Sequence, residues 1–95
     1  MTLEQLLYKL AEDYNRRSVL VALDREKVKD GACDDVTLQW ELDLLNSTEG
    51  YLEKMAKKVN VKLIFDYREQ EVYYGGRRRK LTYSTVSIDF STRNH

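Results

Sequence analysis

The 95-residue chain has no proline, one cysteine and one histidine, and each scarcity excludes something. With no proline, no repeat and no low-complexity stretch, nothing marks an internal domain boundary, and residues 1–95 read as a single domain. The lone Cys33 excludes an internal disulfide and fits a reducing compartment, so a cytoplasmic location is expected. The lone histidine, His95, is the last residue, where chains fray, and it cannot complete a Ser–His or Cys–His pair on an ordered scaffold. One cysteine and one terminal histidine are too few for a structural zinc site, and no calcium-loop spacing of carboxylates occurs.

Other absences narrow the function further. No apolar run approaches the roughly 20 residues of a membrane span, and Met1-Thr2-Leu3-Glu4-Gln5 is neither basic nor followed by a signal-type apolar core. Neither secretion nor membrane insertion is expected. The acid-x-lysine triplet common in metal-dependent nucleases is missing, and Asp66, Glu69 and Glu71 form the only loose acidic cluster near a strand end. Cys33 stands beside Asp34 and Asp35, which disfavour its thiolate, so it reads as an inert loop thiol. No motif calls for a cofactor or metal.

What is present describes a folded, strongly solvated domain. The chain is 42% hydrophobic and 34% charged, and it is long enough to bury most of its apolar surface without disulfides or metal. Formal charge sums to zero but is unevenly placed. Residues 1–50 hold 6 basic against 11 acidic side chains, and residues 51–95 hold 10 against 5. That polarity fits either attraction between the two halves or an oriented encounter with a charged partner.

Thr2-Leu3-Glu4-Gln5 has the form of a capping box, and Leu3, Leu6, Leu7, Leu10 and Tyr14 recur at helical spacing behind it. These predict a helix over about 2–16. Ser18 to Leu23 fits a buried strand or the start of a helix capped by Ser18; the polar stretch after it favours helix over about 18–29, stopped near Gly31. From Val36, the residues Val36, Trp40, Leu44, Tyr51, Met55 and Val59 keep to one helical face, with Leu45, Leu52 and Ala56 alongside. A helix over 36–59 follows, with a kink or break plausible at 46–50; the rival reading is a strand at Leu38–Leu44 followed by a shorter helix capped at Ser47. Trp40 is suited to an interface but, among so many leucines, is expected in the core.

The C-terminal part reads as strand over about 61–74 and 79–90. Apolar parity shifts from Leu81 and Tyr83 to Val86, Ile88 and Phe90, which implies a bulge near Ser84-Thr85 or burial on both faces. The expected fold class is therefore α+β, with N-terminal helices packed on an antiparallel hairpin or small sheet. Leu52, Met55 and Val59 should meet the sheet face bearing Leu63 and Phe65. A two-stranded ribbon alone is marginal, so it must lie on the helices or pair across a homodimer, for which the last strand is a candidate.

The most informative segment is the hairpin tip. Gly75-Gly76 forms a turn, Arg77, Arg78, Arg79 and Lys80 begin the departing strand, and Tyr73, Tyr74 and Tyr83 flank it. One reading is a charged edge that discourages strand aggregation. The other is a basic finger whose arginines grip carboxylates or phosphates beside aromatic faces. Three arginines in a row exceed what edge protection needs, so these seven residues are the candidate binding site.

Thr48-Glu49-Gly50-Tyr51-Leu52-Glu53-Lys54-Met55-Ala56-Lys57-Lys58-Val59-Asn60-Val61-Lys62-Leu63 resembles the last helix and following strand of repressor-like helix-turn-helix antitoxins. The upstream half lacks that family's turn between two short helices and its Ser-x-x-Glu-x-Gly element, so the resemblance assigns no family.

These residues support a small non-enzymatic regulatory or inhibitory protein that docks through the basic hairpin on a larger protein partner, itself a handler of nucleic acid, in the manner of phage or mobile-element accessory proteins. The alternative is direct nucleic-acid binding by the same hairpin, and the next is a metal-dependent enzyme of unrecognised type. A direct nucleic-acid binder normally carries a basic overall balance, which this chain lacks. The hairpin charges are expected to govern binding and leave folding alone.

Overall fold

Two long helices are followed by one long antiparallel ribbon in the computed structural model, which describes residues 2–90. His95 lies outside the described residues. α1 spans Leu3–Lys29, α2 spans Asp35–Val59, β1 spans Lys62–Tyr74 and β2 spans Arg77–Asp89. The arrangement is α+β, as the sequence implies.

The capping box forms as its sequence suggests. Gln5 N donates to Thr2 Oγ1 at 3.2 Å, and Thr2 N donates to Gln5 Oε1 at 2.9 Å. The expected helices 2–16 and 18–29 are one continuous helix of 27 residues. Ser18 does not cap; it sits mid-helix and buried, because Tyr14, Ser18, Val21 and Ala22 continue the face begun by Leu7 and Ala11. α2 likewise runs unbroken through Ser47-Thr48, where Thr48 Oγ1 donates back to the Leu44 carbonyl at 2.9 Å. Its N-cap is Asp34, whose Oδ1 accepts from Thr37 N at 2.7 Å.

The helices form an antiparallel pair, and the core lies where the start of α1 meets the end of α2. Leu7, Ala11, Tyr14, Leu52, Ala56, Val61 and Val86 are its buried members, with Met55, Val59, Leu63 and Ile88 packed against them. Leu52 is fully buried, as expected. The ribbon, however, lies on α1 through β2, and α2 meets β1 only slightly. Phe65 packs edge-on against Tyr14 of α1, with ring centroids 5.9 Å apart.

Trp40 contradicts its expected place in the core. α2 carries two apolar stripes, and the one facing α1 is that of Leu45, Leu52 and Ala56; Val36, Trp40 and Tyr51 fall on the neighbouring face and are exposed, Trp40 by 64%. The stripe that begins at Val36 is split: its later members Met55 and Val59 border the core face, while Val36, Trp40 and Tyr51 lie further round the helix.

The parity shift in β2 has a different cause from a bulge. Pairing is one to one from Lys62↔Asp89 to Tyr74↔Arg77, with no residue left over. Arg79 and Leu81 are buried near the tip and Val86 near the base, so opposite ribbon faces meet the helices at the two ends. A two-stranded ribbon twists strongly, and the twist exchanges one face for the other along its length.

Candidate functional site

Gly75 and Gly76 have φ of 63° and 78°, the pair of positive values a two-residue type I′ turn demands. Between flanking strands in this register, Tyr74 and Arg77 share one ribbon face with Val72 and Arg79; Tyr73 and Arg78 share the other with Glu71 and Lys80. The tip therefore sorts its seven expected site residues by parity, an outcome fixed by register and twist.

Arg79 turns inward. Its side chain is only 8% exposed and lies at the C-terminal end of α1, where it forms an ion pair with Asp30 and another with Glu26 Oε2 at 3.7 Å. It also donates from Nη1 to the Glu26 carbonyl at 3.3 Å and from Nε to the Tyr74 carbonyl at 3.1 Å. A guanidinium at this place adds a second donor to a carbonyl of the last helical turn that also accepts from the Asp30 N–H at 3.3 Å, and it complements the negative end of the helix dipole. The hydrogen bond to Asp30 pushes its pKa further above the ordinary arginine value, against an opposing contribution from burial. Tyr74 lies under the same group, 5.2 Å from ring centroid to Cζ, and Lys27 approaches that ring at 5.9 Å. The expectation that all four cations stay outside the fold therefore fails at Arg79, which fastens the ribbon tip to α1.

The remaining residues stay at the surface. Arg77 is 72% exposed and reaches Asp30 at 3.5 Å. Lys80 pairs with Glu69 at 3.0 Å, which raises the lysine pKa. Tyr73, 74% exposed, donates to the Gly76 carbonyl at 3.2 Å, which holds its ring beside the turn. Arg78 is exposed and makes no ion pair among the described residues. Tyr83 lies further back, donating to Gln70 Oε1 at 3.1 Å, and forms part of the wall of a cleft of about 440 Å³ between helices and ribbon. The structure thus groups Tyr73 and Arg78 on the outer tip, Arg77 at its margin, and Tyr74 with Arg79 beneath.

The acids that complete the tip, Asp30 and Glu26, lie about fifty residues upstream and were not among the expected site residues. The signal available was the charge polarity between the chain halves, resolved in part by these contacts.

Other candidate chemistry is dispersed. Asp66 lies on the opposite ribbon face from Glu69 and Glu71, and Glu69 is held by Lys80. Among the described residues no group of three or more histidine, cysteine, aspartate or glutamate side chains is placed to hold a metal. The Cys33 thiol pKa is raised, first by desolvation and then by Asp24, Asp34 and Glu41, while Lys27 opposes. The direction is the expected one; Asp35 has no part in it. No helix among the described residues is long and apolar enough to cross a membrane. The junction resembling helix-turn-helix antitoxins is present as the end of α2 and the start of β1, but a single unbroken helix precedes it. Comparison with protein-family models, curated proteins and solved structures finds no match to this chain.

Proposed function

We propose that this chain is a non-enzymatic docking protein that binds an acidic surface of a larger protein through the outer tip of its hairpin. Arg78 is the central contact, Tyr73 the aromatic one, and Arg77 and Lys80 lie at the margin. The observation that carries this reading is the neutralisation of the tip: Arg79 and Arg77 meet Asp30, Arg79 also meets Glu26, and Lys80 meets Glu69. Phosphate-backbone binding draws on several free cations acting together, and of the four cations here one lacks an acid partner. A single arginine without an acid partner, beside a tyrosine, suits a small acidic pocket, where Arg and Tyr are favoured interface anchors. Carboxylate-lined clefts of metal-dependent nucleic-acid enzymes have that character, which keeps a regulatory or inhibitory role on such an enzyme as the specific form of the proposal.

The test uses Arg78→Glu and Tyr73→Ala, each at an exposed position. Wild-type protein should retain a partner from host extract after nuclease treatment, and both variants should lose it while melting as wild type does. Fluorescence anisotropy with duplex DNA, single-stranded DNA and RNA should show only weak, salt-sensitive binding. Tight nucleic-acid binding at physiological salt that disappears in Arg78→Glu would replace this proposal with direct nucleic-acid recognition.

A further inference from the structure

The two edges of the ribbon are not equivalent. Along β2, Val86 N donates to Asn15 Oδ1 at 2.7 Å, and Asn15 Nδ2 donates to the Val86 carbonyl at 3.0 Å. A single side-chain amide from α1 thus occupies both outward backbone groups of Val86, as a neighbouring strand would, and hinders strand addition at the last strand. Among the described residues β1 has no such cover. Its residues from Ile64 to Glu71 are all exposed, with Tyr67 at 84%.

Which backbone groups β1 leaves open follows from the same contact. Val86 points its N–H and carbonyl away from β1, so Val86 and its partner Phe65 form a pair without mutual hydrogen bonds. By alternation, Leu63, Phe65, Tyr67, Glu69 and Glu71 present their N–H and carbonyl groups outward. The two-residue turn gives the same phase, since Tyr74 and Arg77, which close it, are a hydrogen-bonded pair.

From this edge we infer that a second copy of the chain adds antiparallel to β1, with Tyr67 opposite Tyr67 of the other copy on the twofold axis, producing a continuous four-stranded sheet. Charge selects both the partner and the alignment. Centred on Tyr67, each Asp66 lies directly opposite Arg68 of the other copy, twice by symmetry. These are pairs without mutual hydrogen bonds, the kind in which opposed side chains approach most closely. Centring on Asp66, Arg68, Glu69 or Glu71 would set a charge against itself, and centring on Gln70 would oppose Glu69 to Glu71. Neither Asp66 nor Arg68 has an ion-pair partner within the chain among the described residues. With Tyr67 on the axis the ladder runs from Lys62 opposite Val72 to its symmetry mate and stops one residue short of Tyr73; Arg78 lies on the far strand β2 and stays clear of it, so the pairing stands apart from the docking contact proposed for Arg78.

Sedimentation equilibrium across the micromolar range tests it. The wild-type chain should be a dimer at the upper end, Asp66→Arg and Arg68→Asp should each be monomeric with unchanged far-UV circular dichroism, and the double reversal should restore the dimer. A wild-type monomer at every concentration overturns the proposal, as do single variants that stay dimeric or a double variant that stays monomeric. The alignment has its own probe in a Cys33→Ser background. Tyr67→Cys should oxidise to a covalent dimer, because opposed α-carbons in a hydrogen-bonded pair lie about 5.5 Å apart. Glu69→Cys should not, its equivalent lying about 13 Å along the strand. The opposite result would overturn the Tyr67-centred pairing.

Discussion

Arg78 and Arg79 are adjacent in the chain and face opposite sides of one strand, and that alternation decides their roles. Arg79 lies between Asp30, Glu26 and Tyr74, while Arg78 meets solvent. Leu52 provides the clearest single test of the core. It is fully buried, and Leu52→Ala should destabilise by about 2–5 kcal/mol, the range for large-to-small changes in a core; a denaturant titration with unchanged midpoint would contradict the packing described. Glu41 supplies a pH signature. Its Oε2 is buried with no hydrogen-bond donor, and the group facing it is the Asp24 carboxylate, so the two bond only when one carries a proton. The Glu41 pKa is pushed up to about 7 by the hydrogen bond to Asp24, then by burial and by the Asp24 charge, with Lys27 opposing. A carboxyl whose folded pKa exceeds its unfolded value of about 4.3 holds its proton better when folded, so its contribution is full below that value and lost as pH rises through about 7. The melting temperature of the wild type should therefore fall between about pH 5 and pH 8 relative to Glu41→Gln, which keeps a donor for Asp24; parallel curves for the two proteins would contradict the shared proton.

At the scale of elements, glycine makes two contrasting predictions. Gly50 sits within α2, and a Cβ placed there meets nothing within 4 Å. Gly50→Ala should stabilise by about 0.5–1 kcal/mol, since glycine is a poor helix former. Gly75 and Gly76 both have positive φ, but only at Gly75 would a Cβ crowd the tip, 3.1 Å from Arg79 Nη2 and 3.3 Å from Asp30 Oδ2. Gly75→Ala should therefore lower the melting temperature more than Gly76→Ala; equal losses would mean the tip is not packed on α1. The start of α1, its stop near Gly31, the Gly-Gly turn and the two strands were legible in the sequence, because capping residues, 3.6 periodicity and positive-φ glycines act within a few residues of one another; the start expected at Ser18 was not one. What stayed hidden depends on partners far along the chain. The periodicity from Val36 identifies an apolar stripe without saying whether that stripe or the one through Leu45 and Leu52 faces α1. The parity shift in β2 signals a change of buried face, but only the ribbon's twist distinguishes it from a bulge. The candidate site was legible as a composition, and its division into a buried Arg79 and an exposed Arg78 was not, since Asp30 and Glu26 reach Arg79 only after the ribbon docks.

At the scale of the molecule, the chain measures 52 × 25 × 19 Å with a radius of gyration of 15.6 Å, well above the roughly 12–13 Å of a compact domain of this length. An elongated body of two helices and one ribbon buries few side chains completely and offers long surfaces for its size. The opposite charges of the two chain halves meet where the end of α1 receives the tip, so the polarity serves the fold first and leaves Arg78 as the outward remainder. In the proposed docking mode, one strand carries both an anchor and a contact in consecutive arginines. The most direct test of that mode is a thermal melt and a partner-retention assay run side by side on Arg78→Met and Arg79→Met. Arg79→Met should lower the melting temperature by several degrees, and Arg78→Met should leave it within a degree or so of wild type while losing the partner. A wild-type melt for Arg79→Met, or partner retention by Arg78→Met, would contradict the proposed mode.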